Sequence, residues 1–179
     1  MLYGSMVRRL ASLAAVAAFA AAGPCAAQQA SAQPASAFGS IFQPITLQKL
    51  SDLEFGTVVR PNAGQGVVTV DPATGARSLA GQGALLNSGS PVTRAAFTVG
   101  GEGGQAFGIA VPATMTMTRV GGSETFSVTL IPTATSGVLS GSLGSAGTAA
   151  FGVGGAMTVD AGIANGAYAG NFQVVVTYD

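Results

Sequence analysis

Asp52 and Glu54 are two apart, so in a strand they share one face, and such a carboxylate pair could do acid–base chemistry. General acid–base work needs a carboxyl held in a cleft with a raised pKa. Lys49 beside this pair predicts a solvated edge instead. The rest of the catalytic repertoire is thin. The chain has no His and a single Cys, Cys25, so Ser-His-Asp, Cys-His and His-ligated metal arrangements are excluded. Gly100-Gly101-Glu102-Gly103-Gly104 lets a backbone approach closely, but no Lys-Ser/Thr follows and no helix points at a phosphate; a flexible hairpin is expected. Asp71-Pro72-Ala73-Thr74-Gly75 lacks the oxygen ligands of a calcium loop and reads as a tight turn. Met115 and Met117 alternate with Thr and belong in a core rather than on a metal. The sequence predicts no enzyme, no cofactor and no metal site.

Strand pairing is the chemistry the sequence does offer. Phe172, Val174, Val176 and Tyr178 recur at every second position, and Asn171, Gln173, Thr177 and Asp179 occupy the other face, with Val175 the apolar exception. The stripe ends one residue before the last, so the strand is expected to be terminal, needing a sheet or a partner strand to cover it. If uncovered, each of its large side chains forfeits up to about 1.5–3 kcal/mol.

The elements that must position this strand come from the rest of the chain. Arg8-Arg9 followed by the Ala-rich run Leu10–Gly23 and small residues reads as a secretory signal, with cleavage expected after Ala27, or after Ala32. An uncleaved anchor and a lipoprotein on Cys25 are the alternatives; the short apolar run and Pro24 count against them. Removing 27 of the 179 residues leaves 152, one domain's worth, with no cysteine. The seven basic residues fall to five without Arg8 and Arg9, against seven acidic ones, a formal balance of −2 that excludes nucleic-acid binding as a main task. A surface this poor in charge suits an exported protein that packs against copies or partners.

Gln28–Phe42 is rich in Ala, Ser and Gln and is expected to be a flexible extension, with the domain running from Gln43 to Asp179. From there, short period-two runs alternate with Gly. They include Leu53–Val58, Val68–Val70, Ala96–Val99, Phe107–Val111, Met115–Thr118, Phe126–Ile131, Phe151–Val153 and Met157–Val159. Gly100–Gly104, Gly121-Gly122, Gly154-Gly155 and Asn165-Gly166 are expected to be turns. About ten short strands and no capped helical stripe predict an all-β antiparallel sandwich. A membrane barrel is the rival, weakened by short strands and by Asp179 rather than an aromatic in last place.

Two resemblances follow from these residues. The alternating stripe, the penultimate Tyr178 and Gly166 fourteenth from the end are similar to the C-terminal strand of chaperone–usher pilus subunits. Leu50–Val58, Phe151–Gly155 and the Gly166–Tyr168–Gly170 spacing resemble the bacterial secreted family called domain of unknown function 4402, over about Ile45–Tyr178. The resemblance implies an immunoglobulin-like sandwich that lacks its last strand. A chaperone strand would fill the groove first, and the N-terminal extension of the next subunit would then replace it. Gly166, Phe172, Val174, Val176 and Tyr178 would form the partner-strand interface, with Ala37, Gly39 and Ile41 as the donor strand. Phe38 and Phe42 offer anchors in the opposite register, while Pro34 limits the pairing and a disordered linker is the competing reading. The cysteine pair that joins early strands in many pilins is missing.

The expectation is therefore a structural subunit of a surface fibre, a pilus or fimbria, exported through the inner membrane to the periplasm and then to the cell surface. Its partners would be a periplasmic chaperone, an outer-membrane usher and copies of itself or related subunits, with no nucleic acid and no membrane span in the mature chain. The alternative is a self-completed secreted cell-envelope sandwich with a binding or structural role, in which Gln28–Phe42, or an extra early strand, covers the terminal strand. Loops such as Gly81–Ser90 and Ser136–Gly147 could present a binding site.

Overall fold

β-Branched and aromatic residues at alternate positions build thirteen strands in the computed structural model, which describes residues 32–87 and 89–179. The expected signal and residues 28–31 of the expected extension lie outside the described residues. The strands are Thr46–Ser51 (β1), Thr57–Val59 (β2), Gln65–Val70 (β3), Arg77–Gly81 (β4), Ala84–Leu86 (β5), Ala95–Glu102 (β6) and Ala106–Ala110 (β7). Thr114–Arg119 (β8), Thr125–Pro132 (β9), Ser136–Val138 (β10), Ala146–Asp160 (β11), Tyr168–Ala169 (β12) and Val175–Tyr178 (β13) complete them. All pairings are antiparallel, and the described residues include no helix.

The expected all-β sandwich is present. One eight-stranded sheet runs β1-β6-β11-β9-β8-β12, with β3 pairing β11 and carrying β4 on its far side. A second sheet is β10-β7-β13, and β2 pairs β5 separately. Val68, Val70, Val99, Val128 and Val153 from the large sheet, with Phe107 and Leu139, are the large side chains buried completely. Phe97 and Phe151 stack at 5.2 Å between β6 and β11. These residues form one compact unit from Ser40 to Asp179. Residues 32–39 belong to the other unit and are exposed, without regular secondary structure.

Arginine stitches the irregular segments to the strands. Arg77 donates to Phe55 O at 2.7 Å, Thr57 O at 3.1 Å and Leu86 O at 2.7 Å, fastening the β2–β5 pair to β4. Arg60 donates to Ala161 O and Ile163 O, and Arg94 to Pro72 O. Each cation thus satisfies main-chain carbonyls at strand ends and in the connections between strands.

The turn at Asp71–Gly75 forms as its residues predict. The Asp71 carboxylate accepts from Ala73 N at 3.0 Å and Thr74 N at 2.7 Å, and Gly75 takes φ 75°. The hydrogen bonds from Thr74 hold this carboxyl below its ordinary value.

Gly154-Gly155 is not a turn. Both residues lie inside β11, which at 15 residues unites two runs read from sequence as separate strands. A Cβ on Gly154 would collide with Val70 O, and one on Gly155 would stand 3.2 Å from Phe55 Cζ and Leu53 Cδ2. These glycines admit a neighbouring backbone and the core rather than reversing the chain. Gly100 and Gly101 likewise lie within β6, and only Gly103 to Gln105 turn the chain into β7. Strands β4, β5 and β10 are additional to those expected; at three to five residues they are too short to show a clear alternation.

Candidate functional site

The segment Gly166–Asp179 is divided between the two sheets. Tyr168 and Ala169 pair with Arg119 and Thr118 on the edge of β8. Val175–Tyr178 pair with Ala110, Ile109, Gly108 and Phe107 of β7. Asn171–Val174 cross between the sheets without ladder bonds. The predicted alternation nevertheless runs unbroken across the crossing: Phe172, Val174, Val176 and Tyr178 are half-buried against the core, and the odd-numbered residues are exposed.

β13 has one partner. It stands at the end of its sheet, and β7 is the only strand among the described residues that pairs with it. Asp179 N donates to Ala106 O at 3.3 Å, so the main-chain groups of Asp179, Thr177 and Val175 turn towards β7. By the alternation of an antiparallel ladder, the N–H and C=O of Val176 and Tyr178 turn to the open side. β1, the edge strand of the larger sheet, approaches β13 without pairing with it, and Ile45 and Leu47 present their side chains to the same core. The result is a strand with half-covered apolar side chains and outward main-chain groups that no strand among the described residues pairs with, the physical requirement for strand addition.

The family described as Domain of unknown function (DUF4402) matches residues 45–178, from just before β1 to the last residue of β13. This chain belongs to that family. No curated protein and no solved structure matches it.

A buried carboxylate lies at the end of β13 in this DUF4402 domain. Glu102, the last residue of β6, is only 2% exposed. Its Oε2 accepts from Gln43 N at 3.2 Å and its Oε1 from Gly144 N. The Glu102 N–H donates to the Tyr178 hydroxyl at 2.7 Å, and that hydroxyl donates to Gln43 O at 2.8 Å. Gly101 is glycine because the Tyr178 hydroxyl occupies the space a Cβ would fill. Phe42 completes the cluster with its ring edge on Tyr178, centroids 5.9 Å apart. Sequence reasoning treated Glu102 as part of a flexible hairpin; a lone acid among four glycines was the signal that something specific packs there.

The other expected interface residues are more dispersed. Gly166 lies at the start of the β12 segment with φ 149° and packs on the Arg119 side chain, away from β13 in the sheet order. Ala37, Gly39 and Ile41 are exposed, as is Phe38. Arg119 pairs with Glu124 at 2.7 Å, and that hydrogen bond lowers the glutamate's pKa and raises the arginine's.

Asp52 and Glu54 share an exposed face, with Asp52 paired to Lys49 at 2.5 Å. Met115 is buried and Met117 half-buried in the core. Among the described residues no group of three or more His, Cys, Asp or Glu could hold a metal, and no helix is long and apolar enough to cross a membrane. In the Ser136–Gly147 stretch, Leu139 is buried and Gly144 is tied to Glu102, so this loop is anchored at two points. A cleft of about 940 Å³ opens between β2 and the β8–β9–β11 face, lined by Val58, Met117, Phe126, Met157, Ile163 and Tyr168. The Tyr168 hydroxyl at its wall is already spent on Ala164 O.

Proposed function

We propose that this DUF4402 domain is a structural subunit of a bacterial surface fibre, assembled by β-strand donation through a periplasmic chaperone and an outer-membrane usher. The observation that carries the reading is the open edge of β13, where Val176 and Tyr178 turn their main-chain groups outward and the stripe Phe172–Val174–Val176–Tyr178 is half-covered. A donated strand satisfies both needs at once: its backbone completes the ladder and its alternate side chains cover the stripe. Ile41, 95% exposed, and Phe38, 97% exposed, are apolar side chains with the chemistry of a donor. In this reading the chain is exported, held in the periplasm by a chaperone strand, and passed at the usher to the extension of a neighbouring copy.

One observation favours the alternative of a self-completed envelope domain. Phe42 and Gln43 of the same chain already contact Tyr178, so the last residue of β13 is covered from within.

Periplasmic expression of the chain from Gln28, with no partner, separates the two. A fibre subunit is lost to aggregation or proteolysis, and is rescued by a copy of Gln28–Phe42 fused after Asp179 or by a co-expressed chaperone. A soluble monomer with a cooperative thermal transition overturns the fibre reading.

A further inference from the structure

We propose that Glu102 and Tyr178 form a clip that holds Phe42 and Gln43 at the end of β13 and keeps a chain's own N-terminal arm from pairing with its own β13 edge. The proposal rests on the strand-acceptor reading of β13. It adds what directs donation to a second copy rather than back onto the same chain.

Both main-chain groups of Gln43 are engaged: its N–H donates to Glu102 Oε2 at 3.2 Å and its C=O accepts from the Tyr178 hydroxyl at 2.8 Å. To lie along Val174–Tyr178 of the same molecule, the chain would have to reverse at about Ser40–Gln43. A Ser40–Gln43 turn closed by a main-chain hydrogen bond would use the Gln43 N–H, and the clip already holds that group on Glu102. Phe42 is held by its ring contact with Tyr178, and Ile41, one residue earlier, points to solvent.

The clip itself is expensive to leave incomplete. A carboxylate this buried needs its hydrogen bonds, and Glu102 obtains them from Gln43 N and Gly144 N, one on either oxygen. Glu102 therefore fixes the arm's departure point and the β10–β11 loop through its side chain, and the end of β13 through its main-chain N–H. A free arm tethered at Gln43 would compete for the β13 edge at millimolar effective concentration, so preventing self-pairing changes whether an outside strand can enter.

The test uses the chain from Gln28 and a fluorescent synthetic peptide of sequence Ala35–Phe42, with binding read by anisotropy at protein concentrations where the chain is monomeric. The wild-type chain is expected to bind the peptide. Tyr178→Phe, which removes the hydroxyl bonded to Gln43 O and keeps the ring, and, separately, Glu102→Gln, which removes the carboxylate that accepts from Gln43 N, release the arm and are expected to weaken peptide binding about tenfold or more by self-competition. Adding Phe38→Asp and Ile41→Asp to either variant disables the released arm and is expected to restore wild-type affinity. No peptide binding by the folded wild-type chain sinks the strand-acceptor reading and the clip with it. Binding by wild type together with unchanged binding by the folded Tyr178→Phe chain overturns the clip alone, as does weakened binding that the arm substitutions fail to restore. Tyr178→Phe keeps the apolar ring of the stripe, so this arm of the test stands even if Glu102→Gln fails to fold.

Discussion

β11 and β13 are both apolar strands facing one core, yet they are finished differently. β11 runs for 15 residues, pairs with β6 over Ala146–Val153 and then with β3 over Gly155–Asp160, carries β9 on its other side only across Val153–Met157, and buries Val153 completely. β13 runs for four residues, pairs with β7 alone among the described residues, and leaves Val175 49% exposed. A strand hydrogen-bonded on both sides has every main-chain group satisfied and a defined register. A strand bonded on one side carries the same apolar pattern with half the bonds, and the deficit is an affinity for another strand. The contrast locates stability in β11, and β13 is where the proposed strand donation would act.

The largest effect is expected at β11. Gly154→Val places a side chain where Val70 O and Pro72 N already lie, and no flexible neighbour can yield. Separation of β3 from β11 should cost about 4 kcal/mol or more, the range of severe core lesions, read as loss of the cooperative transition in chemical denaturation. A folded Gly154→Val protein with wild-type stability would erase the distinction between the two strands.

A smaller but more selective effect is expected at β13. Val176→Pro removes an N–H that faces the open side while leaving the β7 ladder its bonds. Folding stability of the isolated chain should fall by about 1–2 kcal/mol from the lost packing. Capture of a donor strand or chaperone should fall much further, by more than tenfold in affinity, because about 1.4 kcal/mol already changes a binding constant tenfold. Equal losses in stability and capture would mean that the outer edge plays no separate part.

The smallest effect sharpens the comparison at the turn after β3. Asp71 has a lowered folded-state pKa, so its contribution to stability is present above the ordinary carboxyl value of 3.8 and is lost as the pH falls through the folded value. The melting temperature of Asp71→Ala should lie slightly below wild type at neutral pH, and the gap should close on acidification. A gap independent of pH would assign the effect to the turn's backbone rather than to the charge.

Much of this was legible in the chain. The period-two stripe at Phe172–Tyr178 survives as an alternation of half-buried and exposed residues, because side-chain direction in extended backbone is a local property. Its division into β12 and β13 in two different sheets was not legible, since alternation continues through a crossing as readily as through a ladder. Gly154-Gly155 misled for a related reason. A glycine pair has the same sequence appearance whether the chain turns or another backbone presses close, and only the position of Val70 O distinguishes them. Glu102 and Gln43 were hidden because they lie 59 residues apart and meet only in the folded chain.

The sequence by itself determined the all-β class, the turn at Asp71–Gly75 and the apolar face of the last strand, because each follows from a few neighbouring residues. Only the tertiary structure decided which strand lies inside a sheet and which at its edge, and where the buried carboxylate closes on the arm. Pairing and burial depend on which distant segments come together, and a local pattern holds no record of its eventual neighbour.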